Sequence, residues 1–193
     1  MAVQIIVDST ADFSAKEIEK RQITCIPMTV TFGNEQYIDG VDLTKEEFFV
    51  KLTNEKEFPK TSQPSPAKFA DCFEEAKENG DDVVAILVSG ALSGTVQSAT
   101  IAKDIAEHDG VYIVDSKSAT LGIRLLVDRA VRMRDQGKSA KEIAEALDEL
   151  KARVRLFAGL DTLEYLQKGG RISKTAASIG RLAGIKPIIT IDE

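Results

Sequence analysis

The sequence predicts an α/β fold: an N-terminal layered domain on a largely parallel sheet, followed by the beginning of a second, α+β domain. Three observations carry this. The run Val83-Val84-Ala85-Ile86-Leu87-Val88 is apolar at every position; unbroken apolarity suits a strand covered on both faces, as parallel strands are. Strand-like and helical stretches alternate along most of the chain, the pattern of right-handed crossovers onto one sheet. That alternation changes near residue 152, which divides the chain into 1–152 and 153–193. The length of 193 residues, 43% hydrophobic and 29% charged, is enough for one sizeable domain and part of a second.

The elements follow in order. Val3 to Val7 is a β-rich run ending at Asp8-Ser9. Ser14 and Glu17 stand at capping-box spacing, so a short helix is expected to about Arg21. Ile23 to Phe32 reads as a strand, with Pro27 marking an edge or bulge and Gly33-Asn34 a reversal. Thr44 and Glu47 repeat the capping box, and Phe48, Phe49 and Leu52 are expected on one face of the helix they start. Asn54 to Pro66 has no period and holds Pro59, Pro64 and Pro66, so it reads as a long loop, functional or disordered. Ser65-Pro66 is an N-cap followed by a first-turn proline, opening a helix to Asn79-Gly80. After the strand at 83–88 a helix is expected to about Glu107, then a strand from Val111 to Val114. Further helices are expected from Thr120 to Gln136 and, capped by Ser139 and Glu142, to about Lys151. Beyond lie a strand over Arg153–Ala158, short helices at Leu163–Lys168 and Ser173–Leu182, and a strand over Lys186–Ile191.

Composition narrows the chemistry. Asp plus Glu is 31 against 25 Lys plus Arg, a net charge of -6, and no basic block is present; a nucleic-acid partner is not expected. No apolar run reaches the ~20 residues of a membrane span. The first residues enter an apolar run without a basic stretch, which reads as no signal peptide. Cys25 and Cys72 are in no metal or redox spacing, so reduced thiols and a cytoplasmic location are expected. His108, the one histidine, rules out His-rich metal sites; neither a metal nor a catalytic residue is assigned.

Asp8-Ser9, Ser89–Thr95 and Asp115-Ser116 all end buried strands, where open α/β sheets place ligands. Each also reads as a helix cap. In Ser89-Gly90-Ala91-Leu92-Ser93-Gly94-Thr95 the glycines permit a tight turn and a helix starts near Ser93, which makes a site for a carboxylate or phosphate. It is no P-loop, since Gly94 is followed by Thr95-Val96, and no G-x-S-x-G elbow. No G-x-G-x-x-G follows a strand, and Asp39-Gly40-Val41-Asp42 lacks the spaced oxygens of a calcium loop. Ser93 has no partner base; His108 lies at the far end of the same helix, roughly 20 Å away at 1.5 Å per residue. Lys168-Gly169-Gly170-Arg171 reads either as a phosphate or partner site or as a helix stop.

Asp8-Ser9-Thr10-Ala11-Asp12, Pro27-Met28, Thr61-Ser62-Gln63-Pro64-Ser65, Leu92-Ser93-Gly94-Thr95, Asp115-Ser116 and Gly169-Gly170-Arg171-Ile172 occur in the order and context of the DegV family, which the chain resembles along essentially its whole length. The resemblance implies the fatty-acid-binding subunit of a bacterial fatty acid kinase. Such a subunit binds one long-chain fatty acid and presents its carboxylate to a separate ATP-dependent kinase subunit. It carries no cofactor itself; ATP and magnesium belong to the kinase. Carried over, Thr61 and Ser93 hold the carboxylate, with Ser62 and the Gly94 N–H close by. Gly90 stands where the family often has a serine. Members also run longer, so the resemblance implies a chain truncated within the second domain. The reading set against it is a hydrolase or phosphotransferase acting on a small anion at Ser89–Thr95.

Overall fold

In the computed structural model, residues 2–55, 57–173 and 186–191 are described. The parallel sheet is built from β1 (Val3–Asp8), β2 (Thr24–Ile26), β6 (Asp82–Leu87) and β7 (Val111–Asp115), in the order β2-β1-β6-β7. All three pairings are parallel, with Ile6 opposite Thr24 on one side and Ala85 on the other. Helices cover both faces. Ile5, Val7, Val84 and Ile86 pack with Ile123 and Leu126 of α5 (Leu121–Asp135) and with Ile143 and Leu147 of α6 (Ala140–Lys151). The alternate residues Ile6, Val83, Ala85 and Leu87 meet Phe69 and Phe73 of α3 (Pro66–Glu78) and Ala99 and Ala102 of α4 (Thr95–Ala106). Small residues on α4 leave room for the two phenylalanine rings, whose centroids lie 6.0 Å apart. The apolar 83–88 run therefore has the physical cause expected of it: successive side chains enter two different cores.

Helix starts follow the sequence closely. α1 (Ala15–Arg21), α2 (Lys45–Asn54) and α6 each carry a complete capping box, from Ser14, Thr44 and Ser139. Ser65 caps α3, with proline in its first turn.

Three expectations change. The 23–32 run is two strands in two sheets: β2 ends at Ile26, and β3 (Thr29–Phe32) leaves for a small antiparallel sheet. Pro27 has no N–H to donate, and the Met28 N–H donates to Ser9 Oγ at 3.1 Å instead of to a strand. The 54–66 stretch contains a strand, β5 (Lys60–Ser62), which pairs with β3 opposite β4 (Glu35–Ile38), in the order β4-β3-β5. All three β5 residues are polar and exposed, so no alternation betrayed it; pairing alone recruits it. On α2, Phe48 packs against the buried cluster of this sheet and Leu52, one turn on, is half-buried, while Phe49 is 63% exposed, because successive helical residues point about 100° apart.

After residue 152 the structure gives β8 (Phe157–Gly159), α7 (Glu164–Lys168) and β9 (Ile188–Thr190), with β8 and β9 antiparallel. Both strands are shorter than the runs suggested. The helix expected over 173–182 falls almost wholly outside the described residues.

Two outcomes are expected. Phe73 is fully buried, so Phe73→Ala lowers unfolding free energy by about 3–5 kcal/mol in urea titrations. Acid acts through the capping boxes. Hydrogen bonding from Ser14 and the Arg124 guanidinium holds Glu17 at about 2, and Lys138 with Ser139 holds Glu142 at about 2. A carboxyl depressed in the folded state stabilises it above the ordinary glutamate value, and that contribution is lost as pH falls toward about 2. Thermal midpoints followed by circular dichroism therefore drop through this window, less steeply in Glu142→Gln.

Candidate functional site

The strand order reverses direction between β1 and β6, and in open α/β sheets the crevice at the carboxyl ends of such a pair is where ligands bind. Asp8 closes β1 there. It is fully buried, and its carboxylate accepts the Val88 N–H at 2.8 Å, the Thr10 N–H at 2.9 Å and the Thr10 hydroxyl at 2.5 Å. Burial nevertheless pushes this carboxyl above its ordinary value, outweighing those bonds, and Asp39 adds to the rise. Asp8 thus clips β1 to the end of β6, and Ser9 holds Met28. At β7, Asp115 accepts the Lys117 N–H at 2.9 Å and, more loosely, the Gly90 N–H. Ser116 is engaged with Ser118. Of these four, Asp8 caps a helical turn, the short 3-10 turn Ser9–Ala11, whereas Ser9, Asp115 and Ser116 hold loop backbone, and α5 starts at Thr120 without a side-chain cap.

What these contacts frame is a cavity of about 850 Å³. Thr61 of β5 and Ser93 of the turn before α4 both line it, although they are distant in sequence and belong to different sheets' surroundings. Met28, Phe48, Phe58 and Val88 supply apolar wall. Ser93 Oγ lies 2.9 Å from Thr95 Oγ1, and the buried Thr95 hydroxyl points on to Met28 Sδ at 3.9 Å. The partner of Ser93 is therefore another alcohol, not a base. His108 is used elsewhere: its Nδ1 accepts the Gly110 N–H at 3.3 Å, so Nε2 carries the proton and donates to the Asp81 carbonyl at 2.8 Å. Burial, with Asp8 and Asp39 adding, pushes the Cys25 thiol up to about 12, which removes it as a nucleophile at neutral pH. Among the described residues no cluster suited to a metal is found, and no helix is long and apolar enough to cross a membrane.

Ser62 and Gly94 do not line the cavity. Ser62 is opposite Thr29 in the β3 pairing, on the other face of β5 from Thr61. Gly94 caps α4, and a methyl group there would stand 2.8 Å from the Gln63 amide nitrogen. The glycine thus lets the end of β5 close on the start of α4, one residue from Thr61's neighbour and one from Ser93.

Two features were not assigned to this cavity from the sequence. The Lys168–Arg171 turn is part of its wall, through Lys168, Gly169 and Arg171. Arg171 Nε donates to the Leu92 carbonyl at 3.1 Å. Phe58 also reaches across, stacking on Tyr165 of α7 with centroids 5.9 Å apart. The turn's Gly-Gly and paired cations were visible signals; Phe58, in an aperiodic stretch, offered none. A second chamber of about 420 Å³ adjoins the first, sharing Leu92, Ala119 and Arg171 with it. Its remaining wall is mostly aliphatic, from Leu156, Leu166, Ile172, Ile189 and Ile191.

The family model described as an uncharacterised protein of the DegV family matches residues 2–193. A DegV domain-containing protein of Caldanaerobacter subterraneus is 38% identical over 191 residues, spanning 99% of this chain and 68% of that protein. A stearic acid-binding protein from Eubacterium ventriosum has a crystal structure superposing at TM-score 0.90 with 37% identity, over 100% of this chain and 68% of that one. The Streptococcus pneumoniae fatty acid kinase B3 protein, loaded with linoleic acid, superposes at TM-score 0.86 with 27% identity, over 100% of this chain and 69% of its own.

Proposed function

The chain belongs to the DegV family, and from that premise we propose that it binds a long-chain fatty acid across the two adjoining chambers. It presents the carboxylate to a separate ATP-dependent kinase subunit, which phosphorylates it to an acyl phosphate. The observation that carries this reading is that Thr61 and Ser93, distant in sequence, line one cavity whose neighbour is walled mainly by aliphatic side chains.

The energetics divide between tail and head. A sixteen-carbon tail buries about fourteen methylenes, on the order of 11 kcal/mol gross at ~0.8 each, of which association removes a large part. The carboxylate opposes burial unless its oxygens are satisfied. Two hydroxyls and the start of α4 offset that penalty. Hydroxyl donors also position the group while leaving one oxygen free to attack a phosphoryl donor. In this reading the chain is a non-catalytic binding subunit: Ser93 pairs with an alcohol, and ATP and magnesium belong to the kinase. Such a carrier works in the cytoplasm, where Cys25 and Cys72 stay reduced.

Thr61→Ala and Ser93→Ala are each expected to weaken palmitate binding on the order of tenfold, the loss of one hydroxyl hydrogen bond to a carboxylate. Acyl phosphate formation with the kinase falls on the order of a hundredfold, because orientation is lost. Calorimetry and a coupled kinase assay measure the two; undiminished phosphorylation in both variants defeats the assignment. Native mass spectrometry of the purified protein separates the carrier, with a fatty acid bound, from a hydrolase or phosphotransferase holding a small anion at Ser89–Thr95.

A further inference from the structure

Helix α2 covers the three-stranded sheet that carries Thr61, and its other side is apolar and open to solvent. None of its residues is fully buried. Phe49 and Val50, adjacent on the helix, and Val41, in the turn that leads into it, are each at least 60% exposed. Single exposed apolar residues are ordinary, but apolar residues gathered at one place on a surface mark a contact.

The ground around them is acidic. Residues 35–57 hold seven carboxylates and three lysines, so four of the chain's six net negative charges fall in this stretch. Two of the lysines are already engaged: Lys45 with Asp12 at 2.7 Å, and Lys51 with Glu35 at 3.4 Å and Glu55 at 3.7 Å. A partner that covers Phe49 and Val50 must therefore bring both apolar surface and positive charge. The same acidity disfavours an anionic bilayer.

The position of the patch narrows the partner further. Phe49 meets the Phe48 ring edge to face, with centroids 5.7 Å apart. Phe48 in turn lies 5.9 Å from Phe32 and lines the cavity. It packs on the cluster of Val30, Phe32 and Leu43, and Val30 stands opposite Thr61. One aromatic ring thus separates the exposed face from the wall of the cavity assigned to the head group. A protein that acts on that head group has to come this near. One that transfers a phosphoryl group gathers Lys, Arg and magnesium where it works. We propose that the kinase subunit docks on Val41, Phe49 and Val50 through an apolar surface rimmed by cations. This rests on the carrier reading above. Docking here brings the kinase to the carboxylate and leaves the hold on the fatty acid to the cavity.

The test separates recognition by the kinase from binding of the ligand. The palmitate-loaded chain is the varied substrate of the ATP-dependent kinase subunit from the same bacterium. The double variant Phe49→Ser, Val50→Ser is expected to raise its KM on the order of tenfold, the loss of an aromatic anchor, with kcat kept. Palmitate affinity by calorimetry stays within about twofold, as for exposed residues that line no cavity. Glu46→Lys raises KM at low salt and loses that effect as salt rises. Ile101→Ser, an exposed apolar position on α4, leaves KM unchanged. For the unmodified chain, which needs no variant to fold, KM rises with ionic strength. A KM indifferent to salt, or unmoved by both the double variant and Glu46→Lys, overturns the docking face and leaves the carrier reading standing. So does a double variant that loses palmitate affinity along with KM, because Phe49 then acts through Phe48 on the cavity. Loss of self-association in sedimentation, or of retention on phosphatidylglycerol vesicles, gives the face to a second copy or a bilayer and overturns the kinase assignment. An unmodified chain that binds palmitate yet is never phosphorylated refutes presentation itself, and the docking face with it.

Discussion

One buried carboxylate, at the place where the sheet changes direction, holds the site together. Asp8 accepts three hydrogen bonds in an environment that otherwise disfavours its charge. Its bond to the Val88 N–H ties β1 to β6 just past their last paired residues, Val7 and Ile86. Everything the cavity uses on this side hangs from that tie. Thr10 and Val88 are wall residues, Met28 is held by Ser9, and the Thr120 N–H reaches the Thr10 carbonyl at 3.1 Å. Thr120 adopts a φ of 44°, an outlying conformation for a β-branched residue. The start of α5 is thus bent to meet this loop, and local comfort yields to the geometry of the crevice.

The sequence was legible where a single local rule decided the outcome. An apolar run buried on two faces, a capping box at Ser14, Thr44 or Ser139, and a serine-proline helix start each carry their cause within a few residues. It was not legible where pairing across the fold decided. Lys60-Thr61-Ser62 has no strand pattern, because its one structural reason is the exposed edge of β3. Ile23 to Phe32 looks continuous because both halves are β-branched; the missing N–H of Pro27 and the pull of Ser9 on Met28 divide it.

The site repeats that division. Ser93 stands in a turn whose glycines and following helix signalled an anion site in their own right. Thr61 was assigned by family resemblance, and its place on a strand could not be foreseen from an aperiodic stretch. Lys168 and Arg171 carried two readings, and the structure sets them in the cavity wall. Spatial convergence is a long-range property, and a turn of four residues does not encode which cavity it faces.

The two alcohols also differ in how firmly they are held. Ser93 follows β6 at the centre of the parallel sheet, between cores on both faces. Thr61 stands on a three-residue strand whose sheet has only Val30, Phe32 and Leu43 as its buried cluster, with Tyr37 and Phe48 packed against it. A small core fixes position less firmly than a large one. Just past β5 the Gln63 side chain lies against Gly94, so close that a methyl group there would stand 2.8 Å from its amide nitrogen and push that flexible side chain aside.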